Sequence, residues 1–258
     1  MNSPTTCDPI ETEAIVCPTH GEYQARIVRM PFPDTPPLKS GCPACQRERQ
    51  ERADAEAKQE ALRRERQHIE GLFNRSGIPA RYVGCTLDNY AAETTGQKRA
   101  LEIARRYVEA FPGRGASLVF CGKPGTGKTH LACAIGKAVT EQKHSVLFET
   151  VIAAIRHIKD TYRKDSERSE TDAVNDFLAP DLLILDEVGA QIGSEHEKLL
   201  LFEIINERYQ ACRATILISN LTRDELGTYL GDRVMDRFRE SGAVVAFDWA
   251  SYRGKRAA

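Results

Sequence analysis

Gly122-Lys123-Pro124-Gly125-Thr126-Gly127-Lys128-Thr129 decides how this chain is read. The run fits GxxxxGK[ST], the phosphate-binding loop of nucleoside triphosphatases, a pattern that carries weight only in the right setting. Residues 117–121 before it, Ser-Leu-Val-Phe-Cys, form a short apolar run of the kind found in buried parallel strands. Residues 130–139 after it read as a helix. Strand, glycine loop and helix together are what phosphate binding needs. Glycines let successive backbone N–H groups turn inward around phosphate oxygens, and the helix N-terminus adds partial positive charge. Gly122, Pro124, Gly125, Thr126 and Gly127 are therefore the candidate cradle for ATP. Lys128 is the residue to reach the β and γ phosphates, and the Thr129 hydroxyl is a candidate Mg²⁺ ligand.

Working outward, apolar runs alternate with helical patterns from Ser76 onward, the signature of a parallel α/β sheet. Helices are predicted over 101–111, 151–162 and 194–212, the last with Ser194 as N-cap and Glu197 in capping-box position. Strands are predicted over 145–149, 181–187, 214–220 and 244–247, and the polar run 164–172 reads as a mobile loop. The strand Asp181-Leu182-Leu183-Ile184-Leu185-Asp186-Glu187 ends in two acids. An acid at such a strand end holds Mg²⁺, directly or through water, so Asp186 takes that role. Glu187 is the candidate general base that polarises the attacking water, and the presence of both acids favours hydrolysis over passive nucleotide binding. Asn220, at the tip of the next strand, is placed to orient water against the γ-phosphate. A lone Asn after a strand is ordinarily a turn residue; its order after the acidic strand favours the functional reading.

The front of the chain has a different character. Eight cysteines are present, four of them within the first 45 residues and four scattered singly behind. Cys17-Pro18-Thr19-His20 and Cys42-Pro43-Ala44-Cys45 make a CxxH…CxxC pattern, two knuckles spaced as in a zinc ribbon, with thiolate and imidazole ligands set tetrahedrally. Each knuckle is expected to supply its ligands from one tight turn, flanked by Gly21 and Gly41, with a strand over 22–28 and a proline-rich loop over 30–37 between them. So small a module cannot bury enough apolar surface alone, which is a reason to expect structural Zn²⁺ on Cys17, His20, Cys42 and Cys45. Four protein ligands leave no position for zinc catalysis. Cys7 is a spare, either a substitute ligand or unbound.

Residues 46–70 lack Gly and Pro and are dense in Glu, Arg, Gln and Ala, with Glu48/Arg52 and Glu60/Arg64 in the favourable i,i+4 order. They predict a long solvated helix with a thin apolar stripe at its end, either a spacer or a partner-docking helix. The expected organisation is a zinc module over 1–45, a charged helix over 46–75 and the ATPase domain over 76–258. Formal net charge is -1, with 41% hydrophobic and 28% charged residues, so whole-chain charge names no nucleic-acid or membrane partner. Neither a secretory signal nor the roughly 20 apolar residues of a membrane helix is seen. The expectation is a cytoplasmic protein with no membrane partner.

The resemblance becomes specific when the motifs are taken together. The phosphate loop, the Asp-Glu strand, the Ser219-Asn220 strand tip, Gly231-Asp232-Arg233-Val234-Met235-Asp236-Arg237-Phe238-Arg239 and Asp248-Trp249-Ala250-Ser251-Tyr252-Arg253 resemble the DnaC/DnaI-type AAA+ replicative helicase loaders. They are also similar to the related IstB-type transposition ATPases. Gly77-Ile78-Pro79-Ala80-Arg81-Tyr82 resembles the leading segment of the same group, and the zinc-plus-helix front resembles phage and prophage versions of such loaders. The resemblance implies an AAA+ P-loop ATPase, a parallel sheet flanked by helices, that assembles head-to-tail on itself. It implies a hexameric replicative DNA helicase and single-stranded DNA as partners. Arg237 matches the arginine finger that reaches a neighbour's γ-phosphate, with Arg233 one helical turn away as the other candidate. Arg253 matches the sensor-2 arginine, although the tail after Phe247 is too short for a helical lid. Tyr162, Arg163, Lys164, Arg156 and Lys159 are the candidate DNA contacts, and a solvated helix face explains them equally well. Two other functions use the same residues: a transposition helper that presents target DNA, and a nucleotide-gated adaptor with negligible hydrolysis.

Overall fold

A computed structural model describes residues 11–29, 36–113, 116–190 and 195–254. The chain divides into two compact units between Arg66 and Gln67. In the first, β1 (Thr12–Cys17), β2 (Gly21–Val28) and β3 (Leu38–Lys39) form an antiparallel sheet in that order. β1 was not apparent in the sequence. The turn from β1 into β2 carries His20, and Gly21 leaves it at φ +81°, a left-handed conformation that suits glycine. The helix α1 (Pro43–Arg75) starts three residues earlier than expected, so the second cysteine pair sits at a helix start rather than on a free knuckle. Proline at the first helical position is favoured because its missing N–H would be unbonded there anyway. α1 has no buried residue, as its composition implied. The Glu60–Arg64 pair forms, but Glu48 turns to His20 instead of Arg52. Most of the proline-rich run, Cys7 and Ser194 lie outside the described residues.

The second unit adds α2 (Thr95–Ala110), β4 (Ser117–Gly122), α3 (Lys128–Glu141), β5 (Val146–Thr150), α4 (Val151–Lys159), α5 (Glu170–Leu178), β6 (Leu182–Asp186), α6 (Glu195–Gln210), β7 (Ala214–Ile218), α7 (Arg223–Leu230), α8 (Asp232–Ser241) and β8 (Gly242–Phe247). The five strands are all parallel, in the order β5-β6-β7-β4-β8. Strand residues alternate between two apolar layers. Leu118, Phe120, Leu182, Ile184, Ile216 and Ile218 face the layer shared with α2 and α3. Val119, Cys121, Leu183, Leu185 and Leu217 face the layer shared with α4 to α8. Both faces are buried, which is why these strands read as unbroken apolar runs.

Two expectations are corrected here. The helix from Val151 ends as α-helix at Lys159 and closes in a 3-10 turn, Asp160–Tyr162. The polar run 164–172 is not loop throughout, because α5 begins inside it. Ser169 caps α5 by accepting from the Asp172 N–H, and the Asp172 carboxylate accepts from the Ser169 N–H in return. The acid at the third helical position of that box made the segment look like a charged loop.

Arg208 of α6 is fully buried. It donates to the carbonyls of Phe177, Leu178, Pro180, Asp181 and Ala214 and to the Thr215 hydroxyl. This fork ties the turn after α5 to the starts of β6 and β7. Burial pulls its pKa down to about 10, still charged at neutral pH. Arg208→Leu strands these carbonyls without donors, and the expected loss is about 3 kcal/mol or more, measured by urea unfolding. Arg208→Lys should recover little of it, since one ammonium cannot span the fork.

Candidate functional site

β4 runs into the loop at Gly122 and α3 leaves it at Lys128. Three glycines take left-handed backbone: Gly122 at φ +118°, Gly125 at +75° and Gly127 at +95°. At Gly122 a Cβ would stand 2.5 Å from the Phe247 carbonyl oxygen, so close passage of the loop past β8 also requires glycine. Lys128 Nζ donates to the carbonyls of Gly122 and Lys123 at 2.8 and 2.7 Å, which holds the ammonium inside the curve of the loop. Burial pushes its pKa down, against the pull of Asp186.

The acidic strand meets the loop through one contact: the Thr129 hydroxyl donates to Asp186 Oδ2 at 2.9 Å. The other carboxylate oxygen accepts from the Glu187 N–H at 2.7 Å. Burial pushes the Asp186 pKa up, and these two hydrogen bonds oppose the shift. Glu187 has φ +62°, rare for a non-glycine residue, and this turn takes it out of the strand direction. Its side chain is exposed, beside the half-buried Asp186. β7 lies between β4 and β6, so its tip reaches the gap between loop and acids. Ser219 locks that tip, its N–H donating to Phe120 O at 2.9 Å and its hydroxyl to Val188 O at 2.6 Å. Asn220 then joins Lys128, Thr129, Asp186 and Glu187 around one cavity of about 870 Å³.

Several lining residues were not foreseen. Asn89 and Tyr90 from the segment before α2, and His130 of α3, close one side of the cavity. The Tyr90 ring packs against Gly127, where a Cβ would stand 3.0 Å away, and meets the His130 ring edge-on at 5.5 Å. These residues carry no motif, and only their convergence marks them. Arg253 lines the cavity as well. The segment after β8 returns to the loop, with the Tyr252 N–H donating to Gly125 O at 2.8 Å, and this brings Arg253 to the cavity.

Arg237 stands apart from this cavity. On α8 it is half-buried, donates to Asn206 Oδ1 and lies over the Tyr209 ring at 4.9 Å. Arg233, one turn earlier, is exposed. The candidate DNA contacts are mostly engaged within the chain. Lys159 pairs with Glu197, the Tyr162 hydroxyl bonds Glu170 and approaches His196, and Arg163 pairs with Asp165. Arg156 is exposed.

In the first unit, Cys17, His20, Cys42 and Cys45 converge, their ligand atoms all within 4.8 Å of one another. His20 Nδ1 lies 3.8, 3.9 and 3.3 Å from the sulfurs of Cys17, Cys42 and Cys45, and the Cys17 and Cys45 sulfurs are 3.5 Å apart. Tetrahedral bonds of about 2.0–2.3 Å to zinc put ligand atoms about 3.3–3.8 Å apart, so the four side chains fit such an ion. The Thr19 backbone N–H lowers the Cys17 thiol to about 6, and contact with Cys17 raises Cys45 to about 11. His20 Nε2 lies 3.0 Å from Glu48 Oε1, an outer carboxylate that fixes the ring with Nδ1 facing the sulfurs. Glu48 looked like a helix-surface charge in the sequence.

Comparison with known proteins agrees with this geometry. A family model described as IstB-like ATP binding protein matches residues 47–258, which takes in most of α1 as well as the ATPase body. The replicative helicase loader DnaC of Escherichia coli (strain K12) is 42% identical over 198 residues, 76% of this chain and 80% of that protein. DnaC of Buchnera aphidicola subsp. Acyrthosiphon pisum (strain APS) is 38% identical over 186 residues, 72% and 76% of the two chains. A crystal structure of the DnaC helicase loader matches with a TM-score of 0.60 at 29% identity, covering 66% of this chain and 100% of that one. The chain belongs to the IstB-like ATP-binding family and, within it, to the P-loop ATPases of the DnaC helicase-loader type.

Proposed function

We propose that this protein is an ATP-dependent loader that binds a hexameric replicative DNA helicase and helps place it on single-stranded DNA during replication initiation. The likeness to DnaC across four-fifths of that protein carries the reading. In the proposed reaction the loop N–H groups and Lys128 hold the β and γ phosphates, and Thr129 and Asp186 hold Mg²⁺. Glu187 polarises the attacking water and Asn220 orients it. Arg253 contacts the nucleotide from the tail. Arg237 acts in the site of the next subunit of a head-to-tail assembly, a reading supported by its distance from this chain's own cavity. ATP binding closes the assembly on DNA and hydrolysis releases it. The work belongs in the cytoplasm; among the described residues no helix is long and apolar enough to cross a membrane.

Cys17, His20, Cys42 and Cys45 would hold structural Zn²⁺. The ion supplies folding energy to the small front module, which serves together with α1 as the helicase-docking end. The resemblance to IstB-type ATPases leaves a second reading, a transposition helper that presents target DNA. Binding experiments separate the two. Full-length protein should form a stable complex with the replicative helicase in size-exclusion chromatography with light scattering, and a chain starting at Ser76 should not. ATP-dependent binding to double-stranded DNA with no helicase complex in ATP or ADP would move the assignment to the transposition helper.

Four substitutions test the two sites. Glu187→Gln should bind Mg-ATP normally and hydrolyse it about 100-fold slower or worse, as expected for loss of a general base; an unchanged rate would remove Glu187 from that role. Asp186→Asn should lose the thermal protection given by Mg-ATP. Its effect on the nucleotide-free protein has the opposite sign. The raised pKa of Asp186 means that its ionisation opposes folding once pH exceeds the unfolded-state value. Neutral Asn escapes this cost, so the variant should melt at or above wild type at pH 7.5, with the gap closing toward about pH 4. Purified protein should carry one zinc per chain by elemental analysis. Cys45→Ser should lower that content, and Glu48→Gln should weaken zinc retention against a chelator by about 10-fold or more.

A further inference from the structure

The phosphate loop is also held by the C-terminal segment. Phe247 O accepts from the Lys123 N–H at 2.9 Å, the Tyr252 N–H donates to Gly125 O at 2.8 Å, and Trp249 Nε1 donates to Thr126 O at 2.9 Å. The segment runs very close: a Cβ on Gly125 would stand 2.1 Å from Ser251 Oγ. Trp249 is itself fixed, with its ring 4.7 Å from that of Phe247 and against Gly96 at the start of α2. It is the sole tryptophan of the chain.

The carbonyls of Gly122, Lys123 and Gly127 take donors from within the loop and α3. Lys128 serves Gly122 and Lys123, the Thr126 hydroxyl also serves Lys123, and the Leu131 N–H serves Gly127. Gly125 instead takes its donor from the tail, and Thr126 takes Trp249 from the tail at 2.9 Å and, at a longer 3.5 Å, the Tyr90 hydroxyl. In a planar trans peptide the C=O and the following N–H point in opposite directions. A carbonyl held on the tail side therefore turns the N–H of the next residue toward the cavity lined by Gly125, Thr126, Gly127 and Lys128. The two amides set this way are those of Thr126 and Gly127, in the part of the loop whose N–H groups cradle phosphate.

We infer that Trp249 and the Tyr252 backbone N–H are positioning groups for nucleotide binding: by holding the Thr126 and Gly125 carbonyls, they aim the Gly127 and Thr126 amides at the phosphates. The inference rests on the nucleotide-binding reading above and extends it to residues outside the loop. Preset amides favour ground state and transition state alike, so their loss appears in KM for ATP rather than in kcat. The end of β8 and the short tail thereby perform part of the loop's work.

The full-length protein tests this with fluorescent Mg-ADP binding and steady-state ATP hydrolysis. Wild type must first bind Mg-ADP with a change in the emission of Trp249; failure there sinks the nucleotide-binding reading itself. Trp249→Phe keeps the ring contacts and removes the donor. It should raise Kd for Mg-ADP and KM for ATP about tenfold, the size of one ordinary hydrogen bond, with kcat changed no more than about threefold. Tyr252→Pro and Tyr252→Ala both remove the phenol, but only the proline removes the N–H. The proline variant should bind about tenfold more weakly than the alanine variant. This second pair leaves Trp249 intact and decides the matter if Trp249→Phe fails to fold. Wild-type affinity in Trp249→Phe together with equal affinity in the two Tyr252 variants would overturn the inference.

Discussion

The hydrogen bond from Thr129 to Asp186 is the contact on which the rest of the site depends. It joins the first turn of α3, the helix that follows β4, to the end of β6, and β4 and β6 are separated in the sheet by β7. The contact exists only if β6 stops near the level at which β4 turns into the loop. The parallel register sets this: Phe120 lies opposite Ile218 and Leu185 opposite Leu217, so Asp186 ends β6 level with Phe120, just before β4 enters the loop at Gly122. The apolar layers on both faces hold the register, since a one-residue slip would exchange every strand side chain between layers. Core packing and the geometry of the site are therefore parts of one constraint.

The same constraint explains where charge and unusual backbone are tolerated. Asp186 and Lys128 are partly desolvated and lie close enough to influence one another, so each offsets part of the other's burial penalty. Glu187 takes a left-handed backbone directly after the acidic strand, a conformation that Lys143 and Cys212 also take in turns away from the cavity. Arg208 does comparable work away from the cavity. Its fork satisfies carbonyls at the opposite strand ends, β6 and β7, and so helps to set where those strands start.

The two units solve the problem of stability differently. The ATPase unit buries two extensive apolar layers. The front unit buries few apolar residues, among them Ala25 and two of its cysteines, and its sheet has three short strands. Three sulfurs and an imidazole converge there instead, with Glu48 behind the imidazole.

The phosphate loop, the two acids, the Asn at a strand tip and the paired Cys/His residues were all legible in the sequence. Their chemistry is set by residue type at short spacing, and short spacing fixes local geometry whatever the rest of the chain does. The alternation of apolar runs with helices likewise gave the parallel sheet, because strands buried on both faces must be continuously apolar. The sequence did not reveal β1, α5, the donor fork of Arg208, the role of Glu48, or the cavity walls at Asn89, Tyr90 and His130. These depend on partners distant in the chain. Glu48 is an ordinary helix charge until β1 and β2 bring His20 to it, and Trp249 is an ordinary aromatic residue until β8 pairs beside β4. Strand order is the decisive tertiary fact: with β7 placed between β4 and β6, Asn220, Thr129 and Asp186 share one cavity, and no local pattern in the sequence encodes that order.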